Sequence, residues 1–318
     1  MLHGTRDVPQ AAAGGRGAVW PDQKVISSIN LLCLNKDRQT KGEDLTMSDL
    51  TGIDWGDAFA NAAHIPEGDD YPDRWAAAAA RFREDVAGEL DLPYGDHPRE
   101  TYDIFLPQQA AHGLVVIVHG GFWLAFDKSY WSHLAASALA QGWAVALPGY
   151  TLAPEARISE ITGQIGRAIA AMAARVPGPI RLTGHSAGGH LVTRMVCDDS
   201  PLPPEVLARV DRVVSISGVH DLRPLQLNPM NDSLKLTPEE AAAESPALCR
   251  LVPNVEVTAW VGAAERPEFL RQSALLSEAW STADAPVPLI AEADRHHFDV
   301  IDGLRDPSHP LCRALTDL

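Results

Sequence analysis

The feature that most restricts this chain is a five-residue turn, Gly184-His185-Ser186-Ala187-Gly188. It lies between a short apolar strand-like run, Ile180–Thr183, and an apolar helical stretch, Ala187–Cys197. G-x-S-x-G alone occurs by chance. Between a strand and a helix it describes a nucleophile elbow, in which a sharp turn holds the serine in a strained conformation and the glycines let strand and helix approach. Such a turn needs a sheet beneath it, and the chain supplies one. Strand-like runs recur at Thr101–Leu106, Leu114–His119, Trp143–Leu147, Val210–Ser217, Val255–Val261 and Val287–Ala291. Helical stretches fall between most of them, at Trp131–Gln141, Ser159–Arg175 and Pro267–Ala283. Runs such as Leu-Val-Val-Ile-Val suit strands buried on both faces. The alternation predicts an α/β fold, a mostly parallel central sheet flanked by helices, with right-handed crossovers.

Two regions depart from this rhythm. Before residue 100, Trp75 to Leu90 reads as a helix, with Phe82, Val86 and Leu90 at four-residue spacing and Pro93 and Gly95 ending it. Residues 49–95 thus read as a small amino-terminal helical segment. Between two later strands, Asp221 to Ser245 is an insertion in which Thr237-Pro238-Glu239-Glu240 marks a helix start. Residues 1–46 carry no sustained periodicity and read as a flexible tail, with Met47 an alternative start; residues 47–318 form one domain.

The serine has plausible companions at the right places. His119-Gly120-Gly121-Phe122-Trp123 follows a strand, ~65 residues before the elbow. A Gly-Gly loop there aims backbone N–H groups at a developing oxyanion, with Gly120 and Gly121 as donors beside Ala187. On an elbow of this type the acid and the histidine follow the serine in chain order. Glu265 lies in the loop after Val255–Val261, whereas Glu268 lies at a helix start, where a carboxylate commonly complements the dipole. Glu265 is the expected acid. His296 and His297 follow the last strand, and His297 is the chosen base; His296 reads as a polar loop residue. Phe122 and Trp123, beside that loop, are candidate substrate-contacting rings, with a core role as the alternative.

Charge and cysteine content exclude other classes. The 318 residues hold 42 acidic and 26 basic side chains, a formal charge of -16, which disfavours nucleic acid and anionic membranes. No apolar run reaches the ~18 residues of a membrane helix. The four cysteines form no C-x-x-C pair, so neither a zinc site nor a disulfide framework is expected. The expectation is a cytoplasmic enzyme without metal or organic cofactor. Its partner is a small-molecule substrate, with a homodimer left open.

The motifs resemble the α/β-hydrolase superfamily in its hormone-sensitive-lipase-like branch, which Gly149-Tyr150-Thr151-Leu152-Ala153-Pro154-Glu155 also suggests. The ordered set HGGFW, GHSAGGHL, SGVHDLRPL, VGAAERPEF and HHFDVIDGL is similar to the kynurenine formamidase (arylformamidase) group, over about residues 54 to 314. Two departures stand out: Phe122-Trp123 replaces a third glycine of the oxyanion loop, and Glu265 replaces the usual aspartate. The resemblance implies an α/β-hydrolase fold, Ser186 as nucleophile, Glu265 as acid, His297 as base, Gly120 and Gly121 in the oxyanion loop, and residues 55–72 as a cap over the site. It implies a serine hydrolase that takes a formyl or short acyl group from an aromatic amide or ester. A short-chain carboxylesterase is the alternative, and a non-catalytic small-molecule binder on the same fold a second one.

Overall fold

The structure is a computed structural model that describes residues 52–317. The expected amino-terminal tail lies outside the described residues. Eight strands form one sheet in the order β1-β2-β4-β3-β5-β6-β7-β8. They are β1 Glu89–Pro93, β2 Thr101–Phe105, β3 Leu114–Val118, β4 Ala144–Pro148, β5 Ile180–His185, β6 Val210–Ile216, β7 Glu256–Gly262 and β8 Leu289–Glu292. From β4 across to β8 all pairings are parallel; β1 and β2 add an antiparallel edge.

Alternation along the central strands explains why both faces are covered. Leu114, Val116 and Val118 of β3 enter one core with Ile165 and Leu191, from the helices Ile158–Ala173 and Ala187–Arg194. Val115 and Ile117 enter a second core with Leu134, Leu304 and Leu311 on the opposite face. Side chains of a strand point to alternate faces, so a continuous apolar run serves two cores at once.

The chain leaves β3 for β4 on one side and then crosses to β5 on the other. Loops after β3 and β5 therefore diverge from adjacent carboxyl ends and open a crevice there. Val118 is in register with Gly184, which sets the Gly-Gly loop beside the elbow.

The amino-terminal helix differs from expectation. It spans Tyr71–Asp85, not Trp75–Leu90, and Val86 already has extended backbone. Residues Glu89–Pro93 pair antiparallel with β2 as an edge strand, leaving Leu90 exposed. The four-residue spacing that joined Leu90 to Phe82 was coincidental, because Gly88 interrupts the segment and the cross-strand ladder outweighs helix propensity there. The stretch from Trp131 is also broken, into a 3-10 turn Ser132–Ala135 and a short helix Ala136–Ala140. The insertion helix begins as expected: Thr237 caps Pro238–Ala243 by accepting from the Glu240 N–H.

Folding also unites cysteines that are distant in sequence. Cys197, Cys249 and the Asp199 carboxylate place ligand-capable atoms within 4.8 Å of one another. Arg194 holds Asp199 at 2.7 and 3.0 Å and reaches Cys249 Sγ at 3.5 Å. No described helix is long and apolar enough to cross a membrane.

Candidate active site

Ser186 sits where β5 turns into the helix Ala187–Arg194, with φ 56° and ψ -117°. Positive φ is costly for a residue with a Cβ, so the neighbours must enforce it. The Ser186 N–H donates to the Ile216 carbonyl on β6 at 2.9 Å. A Cβ on Gly188 would lie 2.0 Å from the Val118 carbonyl oxygen, and one on Gly184 would lie 2.2 Å from that of Gly188. Glycine at both positions is what lets the elbow helix settle on β3 and β5. Ala187 opens that helix, where first-turn N–H groups have no intrahelical acceptor.

The loop after β3 meets the elbow from the side. A Cβ on Gly120 would approach His185 O to 2.8 Å, and Gly121 has φ +113°. His119 anchors the loop. Its ring stacks on Tyr150 at 4.2 Å, and the Tyr150 hydroxyl donates to the His119 carbonyl at 3.0 Å. Burial holds His119 neutral, with a pKa lowered to about 4.

The expected acid and histidine meet. Glu265 Oε2 and His297 Nδ1 are 2.6 Å apart, and the carboxylate is fully buried. Its other oxygen accepts from Ser217 Oγ at 2.5 Å and from the Gly262 N–H at 2.7 Å. With both oxygens of the carboxylate engaged, its direction is fixed. The His297 ring lies against Phe269 at 4.2 Å and against His185 at 4.5 Å. Its carbonyl accepts from His185 Nε2 at 2.8 Å. Burial, then the nearby His297, pushes the His185 pKa well below its ordinary value, so His185 is a neutral support. With Nδ1 bound to the carboxylate, His297 has Nε2 left to serve the cavity.

The neighbouring alternatives are occupied elsewhere. Glu268 accepts from buried Arg271 at 2.7 and 2.8 Å and from Gln272 at 2.7 Å. His296 Nδ1 accepts from the Phe298 and Asp299 N–H groups, and its Nε2 meets the Tyr71 hydroxyl at 3.1 Å.

Ser186, His297, Gly120 and Gly121 share the wall of one cavity of about 560 Å3. Phe59, Trp75, Phe122, Phe126, Trp131 and Phe298 supply its aromatic surface. The pair expected to contact substrate is thereby divided. Phe122 lines the cavity; Trp123 is fully buried and packs edge-on against His190 at 5.1 Å, away from it. Phe122 and Trp123 both have positive φ, so the loop backbone decides which ring turns inward. Sequence reasoning missed most of the aromatic wall, because its rings come from five separate segments.

Residues 55–70 close the cavity from above, in short turns at Trp55–Ala58, Ala62–His64 and Gly68–Asp70. The cap is tied down. Asn228 Nδ2 donates to the Trp55 carbonyl at 2.6 Å, Arg266 pairs with Asp57, and Phe59 meets Phe269 edge-on at 5.9 Å. Asn228 comes from the insertion, which thus helps build the site.

Residues 115–316 match the model of the alpha/beta hydrolase family. The chain belongs to that family. It is 29% identical over 236 residues to a kynurenine formamidase of Danio rerio, covering 71% of this chain and 80% of the relative. A kynurenine formamidase of Drosophila melanogaster is 25% identical over 245 residues, with the same coverage of each. Among solved structures, a Silicibacter sp. TM1040 protein provisionally described as a thioesterase is 49% identical. It superposes with a TM-score of 0.79 over 83% of this chain and all of that one. Esterase 2 of Thermogutta terrifontis, 16% identical, shares the fold with a TM-score of 0.58 over 71% of this chain and 91% of its own. The chain is thus a hydrolase of the α/β fold, similar in sequence to kynurenine formamidases.

Proposed function

We propose that this hydrolase works through Ser186 and removes a formyl or short acyl group from an aromatic amide or ester. The observation that carries the reading is the buried Glu265–His297 pair, whose histidine shares one aromatic-walled cavity with a strained Ser186 and the Gly120-Gly121 loop. His297 Nε2 takes the Ser186 proton as Oγ attacks the carbonyl carbon. The N–H groups of Gly120, Gly121 and Ala187 receive the oxyanion; donors of this kind are each worth about 10²–10³ in rate. Glu265 fixes the imidazole tautomer and stabilises the imidazolium. The tetrahedral species collapses as His297 protonates the leaving amine or alcohol. Water, deprotonated by His297, then attacks the acyl-serine and releases the acid.

The aromatic wall and the resemblance to kynurenine formamidases support an aromatic leaving group, with ring stacking adding about 0.5–1.5 kcal/mol beyond burial. Phe122 beside the oxyanion loop limits the acyl side. Overpacking by one or two methylenes costs about 1–3 kcal/mol, or roughly 5- to 150-fold in rate. The test is an acyl series on one aryl leaving group together with N-formyl-kynurenine. The expected result is a steep fall in kcat/KM from formyl and acetyl to butyryl, with cleavage of the formamide. The withdrawal of Trp123 from a cavity of about 560 Å3 favours the second reading, a carboxylesterase for short acyl chains. A maximum at butyryl or beyond, without formamide cleavage, makes that reading the better one.

A further inference from the structure

Two polar groups of the cap have no partner in the protein. Asn61 is 6% exposed, and neither its Oδ1 nor its Nδ2 makes a hydrogen bond. It precedes the turn Ala62–His64 yet does not cap it through its side chain. A buried amide with an idle donor and an idle acceptor is costly and needs an explanation. Its place supplies one, since Asn61 belongs to the wall of the cavity that holds Ser186. Both atoms are shielded, and a change of the side-chain rotamer is needed to present them to a bound molecule.

Asp69, exposed to solvent at the rim, lies in the same wall. Its neighbours Glu67 and Asp70 share Arg74, whereas Asp69 has no ion-pair partner among the described residues. The residues lining the cavity include no lysine or arginine, and Asp69 is their one carboxylate. Of the cations that touch the cap, Arg74 pairs with Glu67 and Asp70, and Arg266 pairs with Asp57. An aromatic molecule in this cavity therefore finds a carboxylate and a carboxamide at the cap and no cation to neutralise a negative group.

We propose that Asn61 and Asp69 form a recognition site in the cap that selects aromatic leaving groups bearing a protonated amine and disfavours those whose only charge is a carboxylate. The proposal rests on the serine-hydrolase reading for the word leaving group, and its test is a binding measurement that does not require turnover. Trp75 and Trp131 line the cavity, so intrinsic fluorescence reports occupancy. Ser186→Ala protein is titrated at low ionic strength with 4-(2-aminoethyl)aniline, 4-ethylaniline and 3-(4-aminophenyl)propanoate, which differ in charge on one scaffold. The cation is expected to bind at least about fivefold tighter than the anion, and the gap should shrink in 0.5 M salt, as for a rim charge. Adding Asp69→Asn brings cation and anion within about twofold. Adding Asn61→Leu weakens the cation and the neutral amine together by about 2- to 10-fold, the range of one lost hydrogen bond. Its Tm stays equal or rises, because an unpartnered buried amide is gone. Equal or tighter binding of the anion, or a preference that survives Asp69→Asn, overturns the charge assignment. Unchanged binding with a lowered Tm in Asn61→Leu makes that residue structural only. Failure of the wild-type protein to hydrolyse phenyl acetate refutes the serine mechanism alone and leaves the binding result to stand or fall separately.

Discussion

Glu265 and Glu268 are three residues apart, and their surroundings give them different work. Glu265 spends one oxygen on His297 and the other on Ser217 and Gly262. Glu268 neutralises buried Arg271. The two glutamine substitutions should therefore fail in different measurements. Glu265→Gln should lower kcat by about 10³–10⁴, as loss of the tautomer-fixing acid does in other triads, with a modest change in Tm. Glu268→Gln should keep most activity per folded molecule but cost about 3–5 kcal/mol in urea unfolding, the range for breaking a buried pair. Steady-state rates and urea midpoints of the two proteins decide it; a Glu265→Gln enzyme retaining a tenth of wild-type kcat refutes the assignment. The same logic separates the histidines. His297→Ala and Ser186→Ala should each lose roughly 10⁶ in kcat if the three act as a unit. His296→Ala loses a contact with Tyr71 and should keep most activity.

The elements show why some of this was legible in sequence and some was not. The elbow was readable because two glycines, a serine and a change of periodicity all had to coincide for one backbone geometry. Gly188→Ala probes that constraint directly. Its methyl would stand 2.0 Å from a β3 carbonyl, which cannot move without disturbing the parallel pairing of β3 with β5. The expected cost is about 3 kcal/mol or more, or loss of soluble protein. Urea unfolding within about 1 kcal/mol of wild type contradicts the close approach. The edge strand β1 was not readable, because Glu-Leu-Asp-Leu fits two periods and only pairing with β2 chooses between them. Phe122 and Trp123 were equivalent in sequence, since positive φ at both is a property of the folded loop. The union of Cys197 with Cys249 was hidden for another reason: it depends on where the insertion returns to the sheet.

At the scale of the whole molecule, the buried histidines predict how stability responds to acid. Burial lowers the pKa values of His119 and His133 to about 4 and those of His190 and His220 to about 3, and holds His185 well below its ordinary value. In the unfolded chain each titrates near 6.5. Between about pH 4 and 6.5 the unfolded state therefore binds more protons than the folded one. Linkage then requires stability to fall as pH falls through that window, by up to about 1.4 kcal/mol per pH unit for each such histidine. Partly buried Asp127 and buried Asp221 have lowered pKa values, so their contributions are lost below this range, as pH drops under the ordinary carboxylate value. Relief of repulsion within a chain of formal charge -16 acts in the opposite direction and makes the raw slope ambiguous. A paired comparison removes the ambiguity. His133 lies in the turn Ser132–Ala135, does not line the cavity, and its Nδ1 has no hydrogen-bond partner. The difference between the urea midpoints of wild type and His133→Gln, measured from pH 7.5 to 4.5, should stay constant above pH 6.5 and shift progressively below it, most at pH 4.5, with the variant showing the shallower acid loss. Parallel curves across that range would mean that His133 is protonated as readily in the folded protein as in the unfolded one.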